Sequence, residues 1–162
     1  MLDLLLSFLQ GLPSWLVVAI VAMTPVLELR GAIPLALGVY HYPLWLAFVL
    51  SVFGNMVPPL LILLGWYSVI SLMEKRFPAF HGFMSRYHDR LHTKWQDKID
   101  RYGPWALALF VAVPLPLSGV WSGALIAWVF GLHRRPALLS IFVGVLAAAV
   151  IVTAVTTGTL RL

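Results

Sequence analysis

The sequence contains no cysteine, which excludes disulfide bonds, thiol catalysis and thiolate metal sites. It is also poor in charge, because Asp, Glu, Lys and Arg make up 10% of its 162 residues, against about 25% in a soluble domain. Hydrophobic residues make up 61%, and the mean hydropathy is +0.93. These values exclude an ordinary soluble protein, a disordered chain and a fibrous one. They predict an all-α integral membrane protein.

Motifs of the common enzyme classes are lacking as well. The sequence has no Walker loop, no nucleophile elbow and no glycine-rich dinucleotide fingerprint. We therefore expect no enzymatic activity, no cofactor and no metal site. The formal net charge of +5 is no signal for nucleic acid, because acidic residues are interleaved with the basic ones.

Most of the charges lie in one connector, residues 74–103, between two apolar halves. Its excess of Lys and Arg predicts a cytoplasmic, amphipathic connector that lies on anionic membrane lipids. Residues 1–13 are apolar, with Asp3 and no basic residue. This pattern favours an interfacial helix over a secretory signal, which needs a positive start.

The two halves contain four apolar segments, of which the first and third are interrupted by prolines and glycines. Each arm of these two has about 10–12 residues, or about 15–18 Å of helix, which is half of a ~30 Å hydrocarbon core. We therefore expect re-entrant hairpins there and spanning helices in the other two, which also places Arg134 and Arg135 on the cytoplasmic side. The predicted elements are hairpin 1 at 14–40, a transmembrane helix at 44–73, hairpin 2 at 104–132 and a transmembrane helix at 136–160.

Glycines and prolines recur at one offset in the two halves, which indicates an internal repeat. Three pairs are separated by 93 positions. With one crossing per half, the halves would have opposite orientations, an inverted repeat that in transporters places the site between broken helices. The pairs are Gly38 and Gly131, Pro43 and Pro136, and Gly65 and Gly158.

Glu28 and Arg30 are the only charges inside the long apolar segments. A charge at this depth is costly and therefore marks a functional site by default. One interpretation is a structural ion pair, which requires a non-helical backbone because positions i and i+2 do not face each other on a helix. The other is an anion site formed by Arg30 and a helix start near 32–34, with Glu28 carrying a proton.

The second hairpin has an uncharged tip with hydroxyl groups and glycines, Ser118, Gly119, Ser122 and Gly123. We expect this tip to lie opposite the Glu28 tip, although Gly119 and Gly123 also suit plain helix packing. Gly144 and Ala148 offer a small-residue face for a homodimer. A dimer is expected because one spanning helix per half leaves little surface to close a pathway.

Two motifs resemble those of the small multidrug export protein family. The first is Pro25-Val-Leu-Glu-Leu-Arg-Gly-Ala-Ile-Pro34, and the second is Pro114-Leu-Pro-Leu-Ser-Gly-Val-Trp-Ser-Gly123. Gly54-Asn55 followed by Pro58-Pro59 also fits. The layout is similar to that of the DedA superfamily, which has two facing re-entrant hairpins. The residues expected to bind substrate or couple transport are Glu28, Arg30, Gly31, Pro25, Pro34, Asn55, Pro114, Pro116, Ser118, Gly119, Trp121, Ser122 and Gly123.

The DedA resemblance implies transport of an anionic lipid such as a polyprenyl phosphate or phospholipid, with proton coupling as an option. The family's name instead implies proton-coupled efflux of lipophilic drugs or cations through Glu28. A third alternative is a membrane scaffold that transports nothing. The location expected for such a protein is a bacterial or archaeal inner membrane, which it would cross more than once.

Overall fold

The computed structural model describes residues 11–76, 86, 103–113 and 119–160. These residues form helices and no strand, which confirms the predicted all-α class. Most of the interfacial helix predicted at 1–13, most of the connector at 74–103 and the tip residues 114–118 lie outside the described ranges. The helices are α1 (Ser14–Met23), α2 (Glu28–Pro34) with a π-helix (Leu35–Val39) after it, α3 (Leu44–Arg76), α4 (Pro104–Ala112), α5 (Val120–Val129) and α6 (Arg134–Leu160).

The first and third apolar segments each contain two short helices instead of one long helix. Thr24, which precedes Pro25, has extended backbone angles and ends α1, as expected because a proline disfavours helical angles in the residue before it. In the third segment α4 ends at Ala112, and Val113 again has extended backbone angles. The chain resumes as α5 at Val120. Each arm is short, since the ten residues of α1 or α5 make about 15 Å of helix.

Among the residues that the structure describes, two helices are long and apolar enough to cross a membrane. They are Leu44–Gly65, with 22 residues, and Arg134–Thr159, with 26 residues. At 1.5 Å per residue these lengths correspond to about 33 and 39 Å, which exceed a ~30 Å hydrocarbon core. Pro58 and Pro59 lie inside the first of them without ending it.

The two halves have the same order of elements: a short helix, a break, a second short helix and a long helix. The chain divides into two compact units, one with the described residues up to Asn55 and from Ala149 onward, the other from Met56 to Ala148. In the first unit α1 contacts α2, and in the second α4 contacts α5.

In both units the long helix approaches the first short helix through a glycine. A Cβ placed on Gly54 would lie 2.6 Å from the carbonyl oxygen of Ala19 in α1, and a Cβ on Gly144 would lie 2.6 Å from that of Ala108 in α4. The prediction that Gly144 offers a face to a second subunit is therefore wrong, because α4 of the same chain covers that glycine. The homodimer itself stays a prediction.

Candidate functional site

Thr24 holds the break that positions the charged pair. Its hydroxyl donates a hydrogen bond to the carbonyl of Val21 at 2.7 Å and accepts one from the backbone N–H of Leu27 at 3.3 Å. Its carbonyl accepts the backbone N–H of Glu28 at 3.2 Å. One residue thus ends α1 and supplies acceptors to the start of α2, so the turn is built from local bonds.

Glu28 begins α2 in a left-handed backbone conformation, with φ of 47°. For a residue with a Cβ this conformation costs about 1–2 kcal/mol. Glu28 is also buried, with 6% of its surface exposed. A strained backbone, a carboxylate and burial therefore coincide at one position, and such strain concentrates at functional sites.

Arg30 forms an ion pair with Glu28, with 3.6 Å between Nη2 and Oε2. The left-handed angle at Glu28 explains why two residues two positions apart can face each other, as they do not on a regular helix. The exposed fractions are unequal, 26% for the Arg30 side chain and 8% for that of Glu28. The guanidinium is thus the more accessible member of the pair.

Gly31 leaves room for the side chain that folds over this turn. A Cβ on Gly31 would lie 2.7 Å from the Cβ of Leu27, and the N–H of Gly31 donates to the carbonyl of Leu27 at 2.9 Å. A Cβ cannot move away without moving the backbone. Gly31 is therefore required by the turn around the ion pair, and a direct role in binding stays a prediction.

The prediction of a helix start near residues 32–34 is wrong. The helix begins at Glu28, and Pro34 lies inside it, where the π-helix takes over. Pro34 has no N–H to donate to the carbonyl of Arg30, and the wider π-turn follows, with Tyr40 donating to the carbonyl of Leu35 at 3.1 Å. Single π-turns are frequent at functional sites. The N–H groups expected around Pro34 are consequently engaged within a helix rather than open to an anion.

The two ends of the first broken segment meet. The hydroxyls of Ser14 and Tyr42, 28 positions apart, form a short hydrogen bond. The N–H of Tyr42 also donates to the carbonyl of Ala36 at 3.0 Å, and His41 takes a left-handed angle, with φ of 50°. A continuous helix over 14–42 would separate its ends by about 42 Å. The segment therefore returns to where it began.

The other predicted site residues have different surroundings. Pro25 is exposed in the turn, and Asn55 is buried in α3 with 2% exposed. In the second unit Gly119 is the N-cap of α5, and Trp121 and Ser122 are half-buried.

Gly123 is buried against α4, where a Cβ would lie 2.7 Å from Val111 Cγ2. This contact accounts for the glycine by helix packing. The structure brings Glu28, Arg30 and Gly31 together, whereas Pro114, Pro116 and Ser118 lie outside the described residues. The facing arrangement of the two tips stays a prediction.

Sequence reasoning missed two residues of this region. The motif draws attention to Pro25 rather than to Thr24, although a threonine at a helix break is a recognised cap. Leu27 is one apolar residue among many, and no pattern in the sequence shows that its side chain covers Gly31. Both act by shaping the turn that presents Glu28 and Arg30.

Comparison with known proteins gives one match. Residues 28–151 match the family described as "Putative small multi-drug export protein", and the match begins at the buried carboxylate described above. No curated protein and no solved structure is significantly similar to the chain. The family is one of export proteins, which is not an enzyme class, and the two long apolar helices of this chain are those of a membrane protein. The chain therefore belongs to the small multidrug export protein family.

Proposed function

We propose that this membrane transporter moves an amphiphilic anion of the lipid-phosphate class. The anion replaces the Glu28 carboxylate as the binding partner of the Arg30 guanidinium. The observation that carries this proposal is the ion pair at 3.6 Å with the guanidinium more exposed than the carboxylate. Charge-assisted hydrogen bonds are usually about 2.7–2.9 Å, so this pair is loose. A guanidinium has five donors in a fork that matches phosphate.

Charge balance gives the coupling. At membrane depth a net charge is costly, and the resting pair is neutral. When an anion binds Arg30, the site carries one more negative charge unless Glu28 gains a proton. Protonation restores neutrality, and the anion then travels together with one proton.

The experiment is a flux assay in proteoliposomes with fluorescent phosphatidic acid as the probe. Arg30→Ala should lower the rate about 10- to 100-fold, since a hydrogen bond to a charged group contributes about 1.5–3 kcal/mol. Arg135→Ala is the matched control because Arg135 is exposed, and its rate should stay within about twofold of wild type. Transport by Arg30→Ala at the wild-type rate would defeat the anion site.

The second candidate is proton-coupled efflux of lipophilic cations, and the family's description favours it. Here the cation would bind the Glu28 carboxylate and displace a proton, so cation and proton would move in opposite directions. The two candidates predict opposite pH changes inside the vesicle during uptake: acidification with an anion, alkalinisation with a cation. Under the second candidate, Glu28→Gln abolishes transport of tetraphenylphosphonium.

We further propose that residues 14–42 enter and leave the membrane on one face, as a re-entrant hairpin, and that the second half repeats this arrangement in the opposite orientation. Three observations support it: the bond between Ser14 and Tyr42, the shared order of elements and the equivalent close contacts of Gly54 and Gly144. Each half would then cross once, as in the inverted repeats of many transporters.

Single cysteines test the topology, since the chain has none of its own. Cysteines at Leu12 and His41, both exposed, should react with a membrane-impermeant maleimide from the same side. A cysteine at His133 should react only from the other side. Labelling of Leu12 and His41 from opposite faces would mean that residues 14–40 cross the membrane.

A further inference from the structure

One turn of α3 contains buried oxygen atoms that have no hydrogen-bond partner. Ser51 has none of its surface exposed and Asn55 has 2%. In the described ranges, neither Ser51 Oγ nor Asn55 Oδ1 has a partner. The two residues are four positions apart, so they lie on the same face of the helix. A buried polar atom without a partner costs about 1–3 kcal/mol and calls for an explanation.

Among the described hydroxyls of the long helices, Thr153 Oγ1 is also buried without a partner, whereas others bond to their own backbone. Ser140 Oγ donates to the carbonyl of Pro136 at 2.8 Å, and Thr157 Oγ1 donates to that of Thr153 at 2.9 Å. Such a bond to the preceding turn is available to any helical serine or threonine. Ser51 does not make it, so its hydroxyl is oriented away from the backbone acceptor that it could use.

Two prolines add further acceptors to the same turn. Pro58 and Pro59 lie inside α3, and neither has an N–H for the carbonyl four residues earlier. These carbonyls belong to Gly54 and Asn55. The turn 51–55 therefore carries two side-chain oxygens without partners and two backbone carbonyls without their helical donors.

We propose that this turn binds Na⁺ through Ser51 Oγ and Asn55 Oδ1. Both ligands are neutral oxygens, which suit hard cations rather than transition metals. Neither is a carboxylate, and carboxylates are what Ca²⁺ and Mg²⁺ sites use, so a monovalent ion fits better. The carbonyls of Gly54 and Asn55 lie more than one helical turn from Ser51 Oγ, so they add negative potential near the ion without all contacting it. The proposal concerns cation binding and is independent of which substrate is transported.

Thermal unfolding of the full chain in detergent tests the site, with NaCl compared with choline chloride at equal ionic strength. Na⁺ at ~100-fold its Kd should raise Tm by about 5–10 °C. Ser51→Ala and Asn55→Leu should lose most of this shift. In choline chloride they should be as stable as wild type or more so, because each removes a buried atom without a partner. Ser140→Ala, which removes a partnered hydroxyl, is the control and should keep the Na⁺ shift.

Equal Tm of the wild type in the two salts, or a full Na⁺ shift in both Ser51→Ala and Asn55→Leu, would overturn the proposal. If one of these variants fails to fold, the binding of radiolabelled Na⁺ is measured for the other variant. Binding at the wild-type level by that variant would overturn the proposal. Because the readout is binding, it does not depend on Arg30. If Arg30→Ala loses anion flux but still binds Na⁺, the flux result concerns the anion site alone and the binding result concerns the Na⁺ site alone.

Discussion

Gly54→Ala and Gly144→Ala should each lower the free energy of unfolding by about 1–3 kcal/mol or more, as overpacking does. At both positions the new Cβ would lie 2.6 Å from a backbone carbonyl oxygen, of Ala19 or Ala108. Backbone cannot rotate out of the way as a flexible side chain can, so the helices must separate. For a chain of this size the expected loss is at least about 2–4 °C in Tm.

The same helices supply the controls for this experiment. A Cβ added to Gly65 in α3 or to Gly158 in α6 would have nothing within 4 Å of it. Alanine there should leave Tm unchanged or raise it, because alanine is about 1 kcal/mol better than glycine in a helix. Equal stability of Gly54→Ala and Gly65→Ala would show that α1 and α3 do not approach through Gly54.

Arg30→Met should be the other destabilising change, by about 1.5–3 kcal/mol. It removes the charged neighbour of the Glu28 carboxylate, which is 6% exposed, and the cost stays below that of a fully buried ion pair because the Arg30 side chain is 26% exposed. The double variant Glu28→Gln/Arg30→Met should regain most of this loss, since no charge is then left buried. Arg135→Met, at an exposed site, should change stability by less than about 0.5 kcal/mol.

Chemical denaturation of the wild type and these three variants in mixed micelles measures the differences. A double variant as unstable as Arg30→Met would show that the two side chains are not coupled. A stable double variant that transports nothing would assign the pair to transport rather than to folding. This outcome matters because the sequence allows both interpretations of Glu28 and Arg30.

The fold class and the breaks were predictable because each depends on local chemistry. Composition alone dictated a membrane protein, and prolines ended helices at the expected places, as at Thr24 and Val113. The helix start was not predictable. A glutamate rarely takes a left-handed angle, so the sequence favoured a start near Pro34, whereas the structure begins α2 at Glu28.

Contacts between helices could not be predicted from the sequence either. Small residues indicate that something can approach closely, but they do not identify the neighbour. Gly144 therefore suggested a surface for a second subunit, whereas α4 occupies it. The oxygen atoms of Ser51 and Asn55 could not have been recognised as unpartnered, since a helical side-chain oxygen finds its partners in the backbone of its own helix or in neighbouring elements, which the sequence does not identify.

The first unit is formed by two stretches of the chain that are far apart in sequence, and this has a consequence for folding during synthesis. Residues 11–55 contain the ion pair, and the turn that holds it is built from bonds between residues close in sequence, such as that between Thr24 and Glu28. Such local contacts form quickly, so this part can close while the ribosome is still translating. The unit also includes the residues from Ala149 onward, which are made only after residues 56–148 of the second unit. The first unit is thus completed only after the whole second unit has been translated, so a chain that stalls within residues 56–148 would expose an unfinished unit to quality-control proteases.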